Sequence, residues 1–310
     1  MRPDFIIGGA PKCGTTSLHH ILHRHPDAWV APGELYHFDA DDAVAHSEFL
    51  SVERGDLVWR DPDDPETAAW YRSRFADAPA GALIGEDTTT YLMSAVAPDR
   101  IARTLPDAKV IFMLRDPVRR AWSQYWHLVR SGRTSLSFEA ALSAEPSILV
   151  GSTYAGPLRR FRDLLGPDRL CPVLFEEFNA VRQATIDRVT AFLGLPPMLL
   201  EDETGWQNRT FYPKRAGTLL ALNRIGRRLV RYRYAAHLGR RSSLSARLGH
   251  RAYRAWYRVV SDRVLTEAAP PEEMRPVTRR YLNRHLSARN AGLSELLGQD
   301  LGAIWPGFTE

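Results

Sequence analysis

Residues 5–18 run Phe-Ile-Ile-Gly-Gly-Ala-Pro-Lys-Cys-Gly-Thr-Thr-Ser-Leu, and no other stretch limits the fold as tightly. Phe5–Gly8 is apolar and closes on glycines, as a short buried strand does. Gly9 to Gly14 follows as a loop. From Thr15 to His25 the apolar residues Leu18, Ile21 and Leu22 fall at helical spacing, and Pro26 stops the pattern. A strand, a glycine-rich loop and a helix in succession place backbone N–H groups and a positive helix end where an anion can sit.

The loop resembles G-x-x-x-x-G-K-[ST] in its glycine spacing but not in its lysine. Thr15 stands where that lysine belongs, and the lysine is displaced to Lys12, inside the loop. Thr15 and Thr16 add hydroxyl donors. A lysine so placed lies near a bridging oxygen and a leaving group. The clearest later strand, Lys109–Leu114, ends in Arg115 rather than in the aspartate that would hold a magnesium ion. A metal-dependent kinase or NTPase therefore fits less well, although it stays open as the alternative enzyme.

Further strands are expected at Ala82–Glu86 and Leu170–Phe175. Helices are expected at Ala95–Leu105, from Pro117 to about Arg130, at Gly156–Leu165 and at Ala180–Leu193. This alternation predicts a parallel, doubly wound sheet. Residues 31–66 read as acidic loop with helical patches. Residues 215–262 read as basic helix, and 271–298 as two helices divided near His285.

Arg115 opens a second motif, Arg115-Asp116-Pro117-Val118-Arg119-Arg120-Ala121-Trp122-Ser123-Gln124-Tyr125. The strand before it delivers Arg115 to the carboxyl edge, where open α/β sheets bind ligands. Ser123 lies about two helical turns on and can face the same way. A guanidinium with a hydroxyl suits a second phosphate. Two phosphate sites on one sheet edge describe a nucleotide phosphorylated at both ends of its ribose.

With these two motifs the sequence resembles the sulfotransferases that use 3′-phosphoadenosine-5′-phosphosulfate (PAPS), nearest the heparan sulfate branch and its bacterial relatives. The resemblance covers roughly residues 4–200 and returns weakly near 293–305. It implies a P-loop-type three-layer fold, a central parallel sheet flanked by helices, with a helical C-terminal extension. One sulfotransferase domain is expected, with 1–200 as the nucleotide-binding core and 201–310 as the basic extension. The resemblance also implies transfer of a sulfuryl group to a hydroxyl or amine, with PAP as product and no metal. It assigns Lys12, Gly14, Thr15 and Thr16 to the 5′-phosphosulfate, with Cys13 and Ser17 in the same loop and helix start. It assigns Arg115 and Ser123 to the 3′-phosphate.

Two further segments are similar to the family. Residues 33–39 (Gly-Glu-Leu-Tyr-His-Phe-Asp) match its K-E-x-H-F-F-D segment, which makes Glu34 the implied base; His37 is the rival proton acceptor. Residues 85–91 match its E-K-S-x-x-Y segment, with Asp87 at a lysine position. Gly33 likewise replaces a lysine, so a glycosaminoglycan acceptor is not inferred. Tyr154 is a candidate for the nucleotide pocket or for core packing. One of Arg119 and Arg120 is expected at the surface, although either could reach the second phosphate, and Lys214 and Arg215 form a late basic pair of the kind the family turns toward the 3′-phosphate.

Charge is localised. Residues 211–260 hold 13 of the 41 Lys and Arg residues and no Asp or Glu, so the rest of the chain, with its 36 acidic residues, is net acidic. The segment reads as a solvated helical face, as a docking surface for an anionic acceptor or anionic membrane, or as a nucleic-acid surface. Leu219, Leu222, Ile225 and Leu229 fall at helical spacing among its arginines, which suits an interfacial helix. No nucleic-acid module accompanies the charge, so nucleic acid is not the expected partner. A non-catalytic basic adaptor is the alternative outside enzymes. Cys13 and Cys171 are the only cysteines, too few for a disulfide framework or a four-cysteine zinc site. The two cysteines read as reduced thiols, which makes the cytoplasm the expected compartment, and no transmembrane run or signal peptide is read. The abundance of Arg and Ala suggests a bacterial gene. Acceptor identity and oligomeric state stay open.

Overall fold

The computed structural model describes residues 1–46, 51–53, 56–200, 212–230, 232, 244–261, 266–267 and 273–309. Five strands form one parallel sheet: β1 (Phe5–Gly9), β2 (Ala28–Val30), β5 (Leu83–Asp87), β6 (Lys109–Leu114) and β7 (Leu170–Leu174). Two antiparallel pairs lie outside it, β3 (Ser51–Glu53) with β4 (Asp56–Val58) and β8 (Tyr212–Pro213) with β9 (Thr266–Glu267). In space the sheet runs β2-β5-β1-β6-β7. β5 pairs with one side of β1 and β6, which follows β5 in the chain, with the other, so β1 is the switch point where a crevice opens beyond the carboxyl ends. Ile7 stands beside Asp87 on one flank and Ile111 on the other.

The helices in the first two-thirds of the chain are α1 (Thr15–His23), α2 (Pro65–Ser73), α3 (Ala97–Thr104), α4 (Pro117–Arg130), α5 (Phe138–Ala144), α6 (Pro146–Leu149), α7 (Ala155–Leu165), α8 (Phe175–Ala180) and α9 (Arg182–Leu193). They are followed by α10 (Ala216–Val230), α11 (Leu244–Ser261), α12 (Pro276–Arg289), α13 (Leu293–Leu297) and α14 (Leu301–Ile304). Phe5, Ile6 and Ile7 and most of β6 are wholly buried between helical layers, which is why these strands lack in–out alternation. Leu293, Leu301 and Trp305 belong to this same core, so the chain's end packs back on the sheet's helices. A second core joins α4 to the basic region through Tyr125, Trp126, Leu219, Val260 and Leu286.

The sheet and its flanking helices agree with the expected fold class; two local expectations change and one short strand was not foreseen. Among the described residues between 31 and 64 there are turns and the β3–β4 pair and no helix, residues 47–50 and 54–55 lying outside them; helix begins at Pro65, where Asp64 caps it by accepting from Glu66 N at 2.7 Å. β2 is a three-residue edge strand, too short for a periodic signal. Helix α12 passes through His285, which stacks on Tyr281 one turn back at 5.3 Å. The break comes at Asn290–Gly292. There Asn290 Nδ2 donates to Leu286 O and Ser152 O, each at 2.9 Å, and Gly292 takes φ 74°.

In the basic region, Leu219 is buried, Leu222 and Leu229 are half-buried and Ile225 is exposed. The apolar stripe of α10 thus covers the protein's own second core more than it faces outward. Residues 211, 231 and 233–243 of the basic segment lie outside the described residues.

Candidate active site

Main-chain geometry sets the anion cradle. Gly9 has φ 136°, and a Cβ there would stand 2.5 Å from Thr89 O; Gly14 has φ 92°, and a Cβ would press the Phe175 ring at 2.9 Å. Only glycine fits either place. Lys12 holds φ 72°, rare for a residue with a side chain, and such strain clusters at functional sites. The amino end of α1 then follows directly with Thr15 and Thr16, both on the cleft wall. Lys12 lines the same wall. Burial, then the nearby Arg130, Arg115 and Arg120, lower its ammonium to about 8.

Arg115 is drawn to the loop. Its Nη1 donates to Lys12 O at 3.3 Å, and its guanidinium lies 4.6 Å over the Phe175 ring. The two sequence motifs therefore meet at one edge of β1 and β6. Asp116 caps α4 by accepting from Val118 N at 2.8 Å and Arg119 N at 3.0 Å, which fixes the helix carrying Ser123. Ser123 is buried on that helix.

Arg119 and Arg120 divide sharply. Arg119 is exposed and lies 3.8 Å from Asp116, whereas Arg120 is wholly buried. Arg120 donates from Nε to Pro11 O at 2.9 Å and from Nη1 to Ser147 O at 2.6 Å, so it braces the loop from beneath. Tyr154 is corrected from pocket candidate to brace: it is wholly buried, and its hydroxyl donates to Arg115 O at 2.9 Å. Cys13 is also wholly buried, and desolvation pushes its thiol up to about 11. Ser17 is half-buried on α1 and does not line the cleft; Lys214 and Arg215 are exposed ahead of α10, also off the cleft.

The opposite wall is acidic. Glu34 accepts from Thr89 N at 3.0 Å, and from the Thr89 and Tyr36 hydroxyls. A buried network holds its segment. Glu86 accepts from the Tyr71 hydroxyl, from Tyr91 at 2.6 Å and from Thr88 at 2.9 Å. Thr88 Oγ1 accepts in turn from Leu35 N at 3.1 Å, and Tyr91 accepts from His37 N at 3.1 Å. Glu86 itself is pushed up to about 7, chiefly by burial.

His37 faces away from the cleft. It is buried and stacked on Tyr71 at 4.0 Å, its Nδ1 has no hydrogen-bond partner, and burial followed by Arg60, Arg100 and Arg72 lowers it to about 3. That geometry removes it as rival base; an imidazole inside an aromatic stack has no path to an acceptor.

Between the walls lies a cleft of about 430 Å³, with Lys12, Thr15 and Thr16 on one side and Glu34, Asp87 and Thr89 on the other. Its size suits a small-molecule site. Among the described residues no cluster of His, Cys, Asp or Glu is arranged to hold a metal ion.

Comparison with known proteins decides the family: the profile described as "Sulfotransferase family" matches residues 3–199. The chain belongs to the sulfotransferase family. The bifunctional heparan sulfate N-deacetylase/N-sulfotransferase 2 of Homo sapiens is 27% identical over 214 residues, covering 64% of this chain and 22% of that protein. The human heparan sulfate glucosamine 3-O-sulfotransferase 6 is 33% identical over 123 residues, 40% of this chain and 30% of its own length. The chain thus spans under a third of these relatives. A sulfotransferase from Alicyclobacillus acidocaldarius superposes with a TM-score of 0.64 at 25% identity, covering 98% of each chain.

Within this member of the sulfotransferase family, sequence reasoning missed several residues that the fold brings in. Arg130, at the end of α4, adds charge near Lys12. Gln124 and His127 line the cleft from the same helix, and His19 does so from α1. Helical spacing could have found His19, four residues after Thr15. Nothing local marked Arg120 as a brace rather than a ligand.

Proposed function

We propose that this sulfotransferase moves a sulfuryl group from PAPS to a hydroxyl or amine of a carbohydrate, glycolipid or other small-molecule acceptor. The observation that carries the reading is the joining of Lys12 and Arg115 into one cationic cluster at the switch point. The donor set suits a doubly phosphorylated nucleotide: backbone N–H groups and threonine hydroxyls at the start of α1, and the Arg115 guanidinium tied to the loop, with Ser123 buried on α4 and neither Arg115 nor Ser123 on the cleft lining itself. PAPS, once bound, would supply the sulfuryl group on an activated phosphate.

Lys12, Gly14, Thr15 and Thr16 would hold the 5′ end, with Arg115 and Ser123 at the 3′-phosphate. Lys12 balances negative charge as it builds on the departing oxygen. Glu34 takes the acceptor's proton. Two hydroxyls and one backbone N–H fix its carboxylate while it still faces the cleft, so its orientation is set before an acceptor arrives. Positioning and electrostatics supply most of the rate, as in phosphoryl transfer.

Two buried free cysteines are consistent with the cytoplasm as the working compartment. Among the described residues no helix is long and apolar enough to cross a membrane. The exposed arginines of α10 and α11 suit the approach of an anionic acceptor or peripheral contact with an anionic membrane. The test is turnover of PAPS to PAP across a panel of sugars, glycolipids, phenols and nucleoside natural products. PAP release that depends on one acceptor class supports the proposal; tight binding of ATP with magnesium and none of PAP refutes it.

A further inference from the structure

Three histidines lie along α1 at positions 19, 20 and 23, and they are not equivalent. His23 Nδ1 lies 3.1 Å from Val30 O and is engaged with the sheet edge. His20 is pushed down by burial, then by His19, His23 and Arg24. His19 lines the cleft, and its Nδ1 lies 3.2 Å from Asp87 Oδ2. That contact fixes the ring and leaves Nε2 as the nitrogen available to a ligand.

Asp87 gives the contact its meaning. It ends β5 beside β1, its side chain is 10% exposed, and its Oδ1 has no hydrogen-bond partner. Among the described residues its ion-pair partner is His19. A buried carboxylate is costly unless a cation accompanies it. Asp87 therefore takes the His19 imidazole as its partner, and both line the cleft beside Thr15 and Thr16. His19 follows Thr15 by four residues and Thr16 by three, so all three share one helix face. Lys12 supplies positive charge from the loop, and His19 can supply it from the helix.

Other charged groups face the same space. Burial raises Asp87, with Glu34 adding to the rise and His19 opposing it. Glu34 and His46 come from the segment after β2, and Lys12 from the loop. His127 of α4 and Arg133 just beyond it close the far side. Of the histidines in this set, His19 combines position beside Thr15 with a buried carboxylate behind it.

We propose that His19, held by Asp87 through Nδ1, donates a hydrogen bond from Nε2 to the terminal sulfonate of the donor nucleotide at the first turn of α1. This rests on the sulfotransferase reading above. It makes His19 a sulfonate-recognising residue and not a second base, and it predicts that the cleft tells PAPS from PAP by charge at this point.

The test is calorimetric binding of PAPS and PAP without acceptor, from pH 5.5 to 8.5, to the wild-type protein and to His19→Gln, His19→Lys and Asp87→Asn. A charge-assisted bond lost in H19Q lowers PAPS affinity by about tenfold or more while PAP affinity stays within about twofold. H19K restores the preference. D87N, which removes the carboxylate that holds the ring, lowers PAPS affinity in the same direction as H19Q. Equal PAPS and PAP affinities in H19Q and the wild type overturn the assignment. So does a rate limb that rises with pH and vanishes in H19Q, the mark of a base. A wild-type protein that binds neither nucleotide overturns the donor reading and this assignment together; intact binding of both by H19Q removes the assignment alone.

Discussion

Arg115 Nη1 donates to Lys12 O at 3.3 Å, across a sequence separation of 103 residues. The side chain that ends β6 thus ties down the residue that bears the loop's charge. One adenosine carrying phosphates at both ends can address both. Replacing Arg115 with Ala removes a charged contact and the loop's tether. PAP affinity should fall by about 10- to 100-fold with the melting temperature little changed, as read by calorimetry and thermal denaturation.

Lys12 should give the pH profile its alkaline limb. Its folded value near 8 means that the ammonium is present below that pH and lost as pH rises through it. For the free enzyme, kcat/KM for PAPS should decline above pH 8. Lys12→Arg moves the limb to higher pH, since a guanidinium keeps its charge. Lys12→Ala should lower kcat/KM by about 10²-fold or more across the range. A profile flat to pH 10 would remove Lys12 from the chemistry.

Glu34 and His37 separate by substitution. Glu34→Gln keeps the shape of the side chain and its contact with Thr89 while removing the proton acceptor. The expected kcat loss is about 10²- to 10⁴-fold, with PAP affinity unchanged. His37→Phe preserves the stack on Tyr71 and should leave kcat within about threefold and the pH profile unaltered. Steady-state kinetics on the pair checks both statements.

Glu86 makes stability depend on pH. Burial raises its carboxyl from the ordinary 4.5 to about 7, so the folded chain holds a proton that the unfolded chain has released. The Glu86 contribution to stability is therefore most favourable below 4.5, falls as pH rises through the window, and is level above 7, a difference of roughly 3 kcal/mol. Urea titrations from pH 4.5 to 7.5 should show this decline in the wild type. Glu86→Gln should remove it.

The sheet was legible because its strands announce themselves. Phe5–Gly9 ends in glycines and Val110–Leu114 is a continuous apolar run followed by Arg115, and both are wholly buried. Lys12 and Arg115 were legible because each follows such a strand by a fixed offset. The supports were not. Arg120 and Tyr154 sit in the same motifs as ligand candidates, and only packing shows that they hold Pro11 and Arg115 from behind. His37 misled for a related reason: its neighbour Glu34 faces the cleft, but the backbone turns at Tyr36, with φ 51°, and carries His37 into the aromatic core. The His19–Asp87 pair joins residues 68 apart on neighbouring elements, a closeness that no local pattern encodes.

The most direct test of the account is competition between PAP and magnesium–ATP for the purified protein, followed by calorimetry. One shared pocket made by Lys12 and Arg115 predicts a single PAP site at least about 100-fold tighter than magnesium–ATP, lost in the Lys12→Ala/Arg115→Ala double variant. Magnesium–ATP binding tighter than PAP, or PAP binding untouched by the double variant, would contradict it.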